Sequence, residues 1–305
     1  MKKIYRNIII KKYFEENSLK GITVFDNKTI YNFLDINRVE MRMKSFSLNK
    51  FIKYLIENNF ISLFEFENKI NDKKIYISRY FNDKSDYAKA LEIATLLLPK
   101  AYISHFSSIH YYNLTLELPK KIYLSIERKS NAPHNQLNQE IINKAVCKKG
   151  RYPTMILSIL GYEIYKTHSK DTNKTGIKRV LIFDKNYRIT TLERTLIDIV
   201  VRSEISGGIE EVIKVYKKVA LEYKKNISIN KIIFILKKLN YIYPYYQIIG
   251  YLLFKNGFNT DKFKKEFEFK NNFFITRGDV NCDIDKLEYN KDFRLYIPKN
   301  LSKII

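Results

Sequence analysis

The chain has 305 residues, 55 of them Lys or Arg and 32 Asp or Glu, for a formal net charge of +23. A hydrophobic fraction of 45% is enough to build cores and excludes a disordered chain, and the length suits about two domains. The basic excess points to a polyanionic partner, nucleic acid before any other.

The first residues are basic, but their only apolar run is Ile8-Ile9-Ile10, too short for the core of a signal peptide. Residues 241–254 form the longest apolar stretch; Pro244 interrupts it, and it falls short of the ~20 residues that span a bilayer. A cytoplasmic protein with no membrane partner is expected. Cys147 and Cys282 have no CxxC spacing and no neighbouring His pair. They read as two reduced thiols, with neither a metal site nor a disulfide framework. No cofactor is expected.

Residues 3–17 read as a helix with Ile4, Ile8, Tyr13 and Phe14 near a 3.6-residue period. A short extended piece follows at residues 22–25. Asp26 or Asn27 can then cap a helix over residues 28–34 that buries Ile30, Phe33 and Leu34, with Asp35-Ile36-Asn37 breaking it. Residues 38–46 fit no template and are left as a loop or an extra turn. The third helix is clearest: Ser47 caps it, and Leu48, Phe51, Ile52, Leu55 and Ile56 form one apolar face, opposite Asn49, Lys50, Lys53 and Tyr54. Asn58-Asn59 ends it, and residues 60–66 and 74–79 alternate as strands around a polar turn.

Three helices followed by a hairpin is the order of a winged helix-turn-helix, whose third helix enters the DNA major groove. The expected DNA face is Lys44, Ser45, Ser47, Asn49, Lys50 and Lys53, with Lys69, Lys73 and Lys74 on the wing. Lys and hydroxyl side chains hold phosphates there, whereas Asn reads an adenine edge. Residues 1–82 are assigned to this domain, with 16 basic and 9 acidic side chains, and residues 83–305 to a second.

The second domain carries a net charge of +16, much of it in residues 144–188, where eleven Lys or Arg face only Glu163, Asp171 and Asp184. Lys174, Lys178 and Arg179 are candidates for a second contact with DNA backbone. A helix is expected over residues 85–98, stopped by Pro99, and another after Tyr102-Ile103-Ser104, closed by Asn113. Residues 121–126 read as a strand. Residues 180–183 and 187–190 read as a hairpin around Asp184-Lys185-Asn186. Thr190 then caps a helix with Glu193 as its capping-box partner, and Arg194 and Asp198 pair at i and i+4. Gly207-Gly208 breaks the chain, and helices at about 209–224, 228–239 and 245–255 complete an all-α end. The class is α+β: a winged helix followed by a larger mixed α/β domain that ends in helices.

Residues 102–115, YISHFSSIHYYNLT, followed by Pro119, resemble one sequence block of AbiEi-type antitoxins. Residues 191–198, TLERTLID, followed by Ser206-Gly207-Gly208, resemble another. The residues that carry the likeness are Ser104, Ser107, His110, Leu114, Thr115 and Pro119, then Glu193, Arg194, Thr195, Asp198, Gly207 and Gly208. Ser108 and Asn113 depart from the pattern, which has Ala and Gly there. The resemblance implies the antitoxin of a type IV toxin–antitoxin pair linked to abortive phage infection. Such a protein represses its own operon at inverted repeats in double-stranded operator DNA. It counteracts a cognate nucleotidyltransferase toxin, directly or indirectly, through the C-terminal domain. Glu193, Arg194 and Asp198 read as a cap and an ion pair rather than as chemistry, so no catalytic residue is expected and the chain is read as no enzyme, monomeric in solution.

Two rival readings remain. Glu127-Arg128-Lys129 has the E-x-K form of a metal-dependent DNA nuclease, which needs a further acid to hold Mg²⁺. The other is a winged-helix transcription factor whose C-terminal domain senses a small molecule. His105 and His110, five residues apart, share a helical face poorly for a zinc pair.

Overall fold

The computed structural model describes residues 2–64, 74–129, 137–148, 152–276 and 286–305. The fold mixes helix and sheet, and its contacts divide the chain into two units. The first holds residues 1–101, 155–165 and 179–187; the second holds residues 102–154, 166–178 and 188–305. The division expected after Asn82 therefore falls inside the first unit. The cause lies in a helix that sequence reading assigned to the second domain.

The first unit begins with α1 (Lys2–Leu19), β1 (Val24–Asp26), α2 (Asn27–Asn37) and α3 (Leu48–Glu57). β2 (Ile61–Phe64), β3 (Ile75–Ser78) and α4 (Asp86–Leu97) follow. β3 is the centre of an antiparallel sheet ordered β1-β3-β2, with Val24 opposite Ile77 and Leu63 opposite Tyr76. Asp26 caps α2 by accepting from the Thr29 N–H, and Ile30, Phe33 and Leu34 are buried, as expected. The helix does not break at Asp35 but runs through Asn37, leaving Ile36 exposed.

α1 buries only part of the face expected. Phe14 enters the core as expected, with Ile10 one turn before it, while Ile4 and Ile8 are 66% and 57% exposed. Both pairs have i,i+4 spacing, so periodicity alone does not choose between them. The rings of Tyr13, Phe14, Phe25 and Phe33 decide it by packing together. The unassigned stretch 38–46 forms turns that drive Met41 and Met43 fully into the core. There the Arg38 guanidinium donates to the Phe46 carbonyl at 2.8 Å.

α4, capped by Ser85, carries the anchor of the first unit. The Glu92 carboxylate has no solvent exposure and accepts from the Thr23 and Val24 N–H groups at 2.7 and 3.0 Å and from the Thr23 hydroxyl at 2.9 Å. The Lys84 ammonium meets it at 2.5 Å and that of Lys185 at 3.5 Å. This is why α4 stays with β1.

β4 (Tyr102–Ile103), α5 (Phe106–Tyr111), β5 (Lys121–Arg128) and α6 (Gln139–Val146) come next. Two hairpins follow, β6 (Thr154–Ile159) with β7 (Tyr162–Lys170), and β8 (Ile177–Ile182) with β9 (Lys185–Thr190). These strands form a six-stranded sheet ordered β6-β7-β5-β4-β9-β8, in which β4 runs parallel to β9 and antiparallel to β5. The β8–β9 turn is Phe183-Asp184, one residue earlier than expected. Both residues have positive φ, at 49° and 61°. Two such residues form the tight turn that matches strand twist, so the pairing register overrode the polar Asp184-Lys185-Asn186 signal.

α7 (Leu192–Val201), α8 (Gly208–Glu222), α9 (Ile229–Leu239) and α10 (Tyr245–Lys255) match the expected helices. The all-α end does not hold. α11 (Asp261–Glu266) leads to a sheet of β10 (Phe273–Phe274), β11 (Leu287–Asn290) and β12 (Leu295–Pro298), closed by α12 (Lys299–Ser302). These strands are short, and Phe293 in the turn between β11 and β12 reaches α10 at Gly250, where a Cβ would stand 3.0 Å from its ring. Cys147 corrects the reading of two reduced thiols, because it is disulfide-bonded. Cys282, the chain's other cysteine, lies outside the described residues.

Burial pushes the Glu92 carboxyl up, but Lys185, Lys84 and the Thr23 backbone together hold it below its usual range. Its stabilising contribution is therefore complete above the unfolded pKa and is lost as pH falls through the folded one. Glu92→Gln should cost about 3–5 kcal/mol at neutral pH, because two ammonium groups lose their counter-ion. Urea denaturation at pH 7 and pH 4 checks this: the gap between the variant and the parent should narrow at pH 4.

Candidate nucleic-acid interface and the motif residues

α3 is positioned by its ends. The Ser47 hydroxyl accepts from the Lys50 N–H at 3.3 Å, and Asn59 takes the left-handed conformation, φ 56°, that closes the helix. Phe51, Ile52 and Leu55 are buried, whereas Ile56 is 40% exposed, so the apolar face is narrower than the sequence suggests. Lys44, Ser45, Ser47, Asn49, Lys50 and Lys53 all lie exposed. Lys53 also faces Glu57 at 3.8 Å, an exposed pair worth little. Lys74 is exposed just before β3, while Lys69 and Lys73 lie outside the described residues.

Tyr54 does not belong to the exposed face. Its hydroxyl donates to Asn7 Oδ1 at 2.5 Å, and the Arg6 guanidinium lies 5.3 Å from its ring centre. Arg6 in turn donates to the Met41 carbonyl at 3.0 Å, so this contact ties α1 to α3. Sequence reading missed Arg42, which is exposed with φ 54° in the turn before α3. It sits in the stretch that fitted no template, and no pattern marks it.

Lys174, Lys178 and Arg179 are exposed. Lys178 and Arg179 are neighbours on β8, so their side chains leave opposite faces of the strand. The Lys178 ammonium rests 5.2 Å from the Tyr112 ring centre.

The two motif blocks meet in the core of the second unit. Ser104 Oγ lies 2.7 Å from Ser125 Oγ, and the Ser107 hydroxyl accepts from the Tyr123 N–H at 2.9 Å. Leu114 and Pro119 are buried, Thr115 accepts from the Glu117 N–H, and Asn113 closes α5 with φ 54°. The blocks are joined where Ser108 Oγ lies 2.8 Å from Thr190 Oγ1, itself 2.7 Å from Thr195 Oγ1. The Tyr112 hydroxyl donates to the Thr190 carbonyl at 2.7 Å. His110 is half-buried, and burial pushes its imidazole pKa down.

Thr191, not Thr190, caps α7 by accepting from the Arg194 N–H. Thr190 is drawn into the hydroxyl chain instead. Glu193 pairs with Lys231 at 3.0 Å, in place of the expected capping box. Gly207 and Gly208 both have φ near 87°, and a Cβ on Gly207 would meet Glu211 Cγ at 2.8 Å. The Arg194–Asp198 pair forms as expected: Nε to Oδ1 is 2.8 Å, and exposure is 0% and 4%. Arg194 also donates to the Thr175 carbonyl at 2.9 Å. Burial pushes the Asp198 carboxyl up against the opposing effect of Arg194, and Asp198 Oδ2 has no hydrogen-bond partner among the described residues.

Glu127, the acid of the E-x-K sequence, is committed elsewhere. It accepts from the Thr172 hydroxyl at 2.6 Å and the Lys174 N–H at 2.9 Å, pinning the turn between β7 and β8. Among the described residues no cluster of three His, Cys, Asp or Glu could hold a metal ion. No helix among them is long and apolar enough to cross a membrane.

Removing one partner of a buried ion pair strands the other. Asp198→Ala should therefore cost about 3–5 kcal/mol in a thermal or urea melt. An unchanged melt would show that the pair does not support the fold.

His105 offers a pH-dependent test. Burial, then Arg202 and Arg194, push its imidazole down to about 3. Below about pH 6.5 the unfolded chain takes up a proton that the folded chain refuses until about pH 3. Stability should thus fall through that window by up to about 1.4 kcal/mol per pH unit for this one group. His105→Gln should flatten the slope of melting temperature against pH between 6.5 and 4; an identical slope would exclude the assignment.

No protein-family model and no curated protein matches the chain. Among solved structures, the crystal structure of RV2827C protein from Mycobacterium tuberculosis is similar with a TM-score of 0.53 and 10% sequence identity. The match covers 95% of this chain and 91% of that one, and at this identity it is a likeness of fold alone.

Proposed function

We propose that the first unit contains a winged helix-turn-helix and that the chain is a DNA-binding, autoregulating repressor. The observation that carries this reading is the exposed face of α3. Ser47, Asn49, Lys50 and Lys53 stand out on a helix whose opposite face is locked into the core, beside the β2–β3 hairpin. Asn49 would read a base edge, and the lysines would hold phosphates. A net charge of +23 supports attraction to such a polyanion. An inverted-repeat operator would be occupied by two copies, and a chromosomal target implies the cytoplasm.

By the AbiEi resemblance, the chain is also the antitoxin that counters a nucleotidyltransferase toxin. Its two sequence blocks supply the packing of the second unit, so toxin antagonism is assigned to the exposed surface of that unit and not to the motif side chains.

Gel shifts on the native promoter over a salt series test the DNA assignment. Asn49→Ala should cost about 1–3 kcal/mol and relax sequence preference. Lys50→Ala should weaken all sequences alike and reduce the salt slope by about one. A folded Asn49/Lys50/Lys53 triple-alanine variant with undiminished affinity would refute it. Rescue of growth on co-expression with the neighbouring gene product tests the antitoxin assignment separately.

A further inference from the structure

Four tyrosines crowd the link between α9 and α10: Tyr241, Tyr243, Tyr245 and Tyr246. They line a cavity of about 230 Å³, closed on one side by Phe267 at the end of α11. Tyr241 and Tyr245 meet edge to face at 5.5 Å, and Tyr246 stacks on Phe267 at 4.6 Å and 7°. Tyr241, Tyr243 and Tyr246 are only part-buried, so the rings border an opening.

The rim is polar. Lys237 lines the cavity and pairs with Glu266, and the Lys170 ammonium donates to the Asn240 carbonyl beside it at 2.8 Å. Aromatic rings beside ammonium groups are the combination that holds a nucleobase by stacking and its phosphate by charge. The volume narrows the choice. It lies below the ~300–1,000 Å³ of an ordinary small-molecule pocket, so one planar ring enters and the sugar and phosphate stay at the rim. A proline-rich peptide also docks on aromatic grooves but gives Lys237 and Lys170 nothing to do.

We propose that this cleft stacks a single nucleobase, with Lys170 and Lys237 facing the phosphate that the base carries. The source is a free nucleotide or one position of a single strand. The site is separate from the α3 face and does not depend on it.

Titration of the full-length chain with AMP, UMP, a five-residue oligothymidylate, ribose 5-phosphate and a proline-rich peptide tests it. Calorimetry measures affinity, and the change in tyrosine emission that Tyr243→Leu abolishes reports stacking, with no Trp in the chain to mask it. AMP or the oligonucleotide should bind at least about tenfold more tightly than ribose 5-phosphate. Tyr243→Leu should weaken binding by about 5- to 150-fold, the range that loss of one stacked base contact gives. Tyr243→Phe, which keeps the ring, should restore it. Lys237→Ala should lower affinity and Glu266→Gln should raise it, since the latter releases Lys237 to the phosphate. The Asn49/Lys50/Lys53 triple-alanine variant should bind AMP as the parent does. An advantage of the oligonucleotide over UMP that Tyr243→Leu removes assigns the site to a strand, and equal binding assigns it to a free nucleotide. Equal affinity for ribose 5-phosphate and AMP, displacement of AMP by the peptide, or a folded Tyr243→Leu variant with parental affinity would each overturn the proposal.

Discussion

Arg194 keeps a full positive charge at zero solvent exposure, and much of the second unit is arranged to make that possible. A guanidinium cannot shed its proton in a protein, so burial must be matched by partners. Asp198, one helical turn along α7, supplies the counter-charge, and the Thr175 carbonyl accepts a second bond. The turn bearing Thr175 is itself held by the Glu127 carboxylate through Thr172 and Lys174. Gly176 follows with φ 75°, where a Cβ would stand 2.8 Å from Arg194 Cβ. One buried cation thus sets the helix pair, the turn, the acid that fastens the turn and the glycine beside it. The E-x-K sequence on β5 belongs to this support.

The first unit solves the same problem with the opposite sign. Glu92 is the buried charge, and its acceptor capacity is filled by two backbone N–H groups, one hydroxyl and two ammonium groups. Backbone donors of β1 could not meet a carboxylate on α4 unless strand and helix were in register. That bond set therefore decides which unit α4 belongs to. The surface obeys different rules: the exposed lysines of α3 make few internal contacts and contribute little to stability, which leaves them available to an external polyanion.

What the sequence shows well is what depends on near neighbours. Ser47, Asp26 and Ser85 cap the helices that follow them, and Arg194 and Asp198 pair because they share a helical face. What it hides is decided at long range. The choice between two equally spaced stripes on α1 was made by rings from other elements, and the capping role passed from Thr190 to Thr191 because Ser108, from a distant helix, competes for Thr190. The β10–β12 sheet went unseen because strands of two to four residues have no readable alternation. For the candidate interface, the exposed face of α3 was legible from its apolar opposite. Arg42 was not, because a turn residue with positive φ and a basic side chain carries no periodic mark.

The placement of the two motif blocks bears on where function resides. Ser104, Ser107, Thr195, Arg194 and Asp198 are all buried, and their hydroxyls and charged groups are mostly spent on one another or on backbone. A block of this kind identifies a packing solution, since replacing any member strands a buried partner. It cannot by itself identify a surface that touches a partner. Residues outside that network are free to vary without disturbing it, and these carry no such signature. This is why the same sequence marks the fold of the second unit clearly while leaving its binding surface to be found from exposed chemistry, as in the tyrosine cleft between α9 and α11.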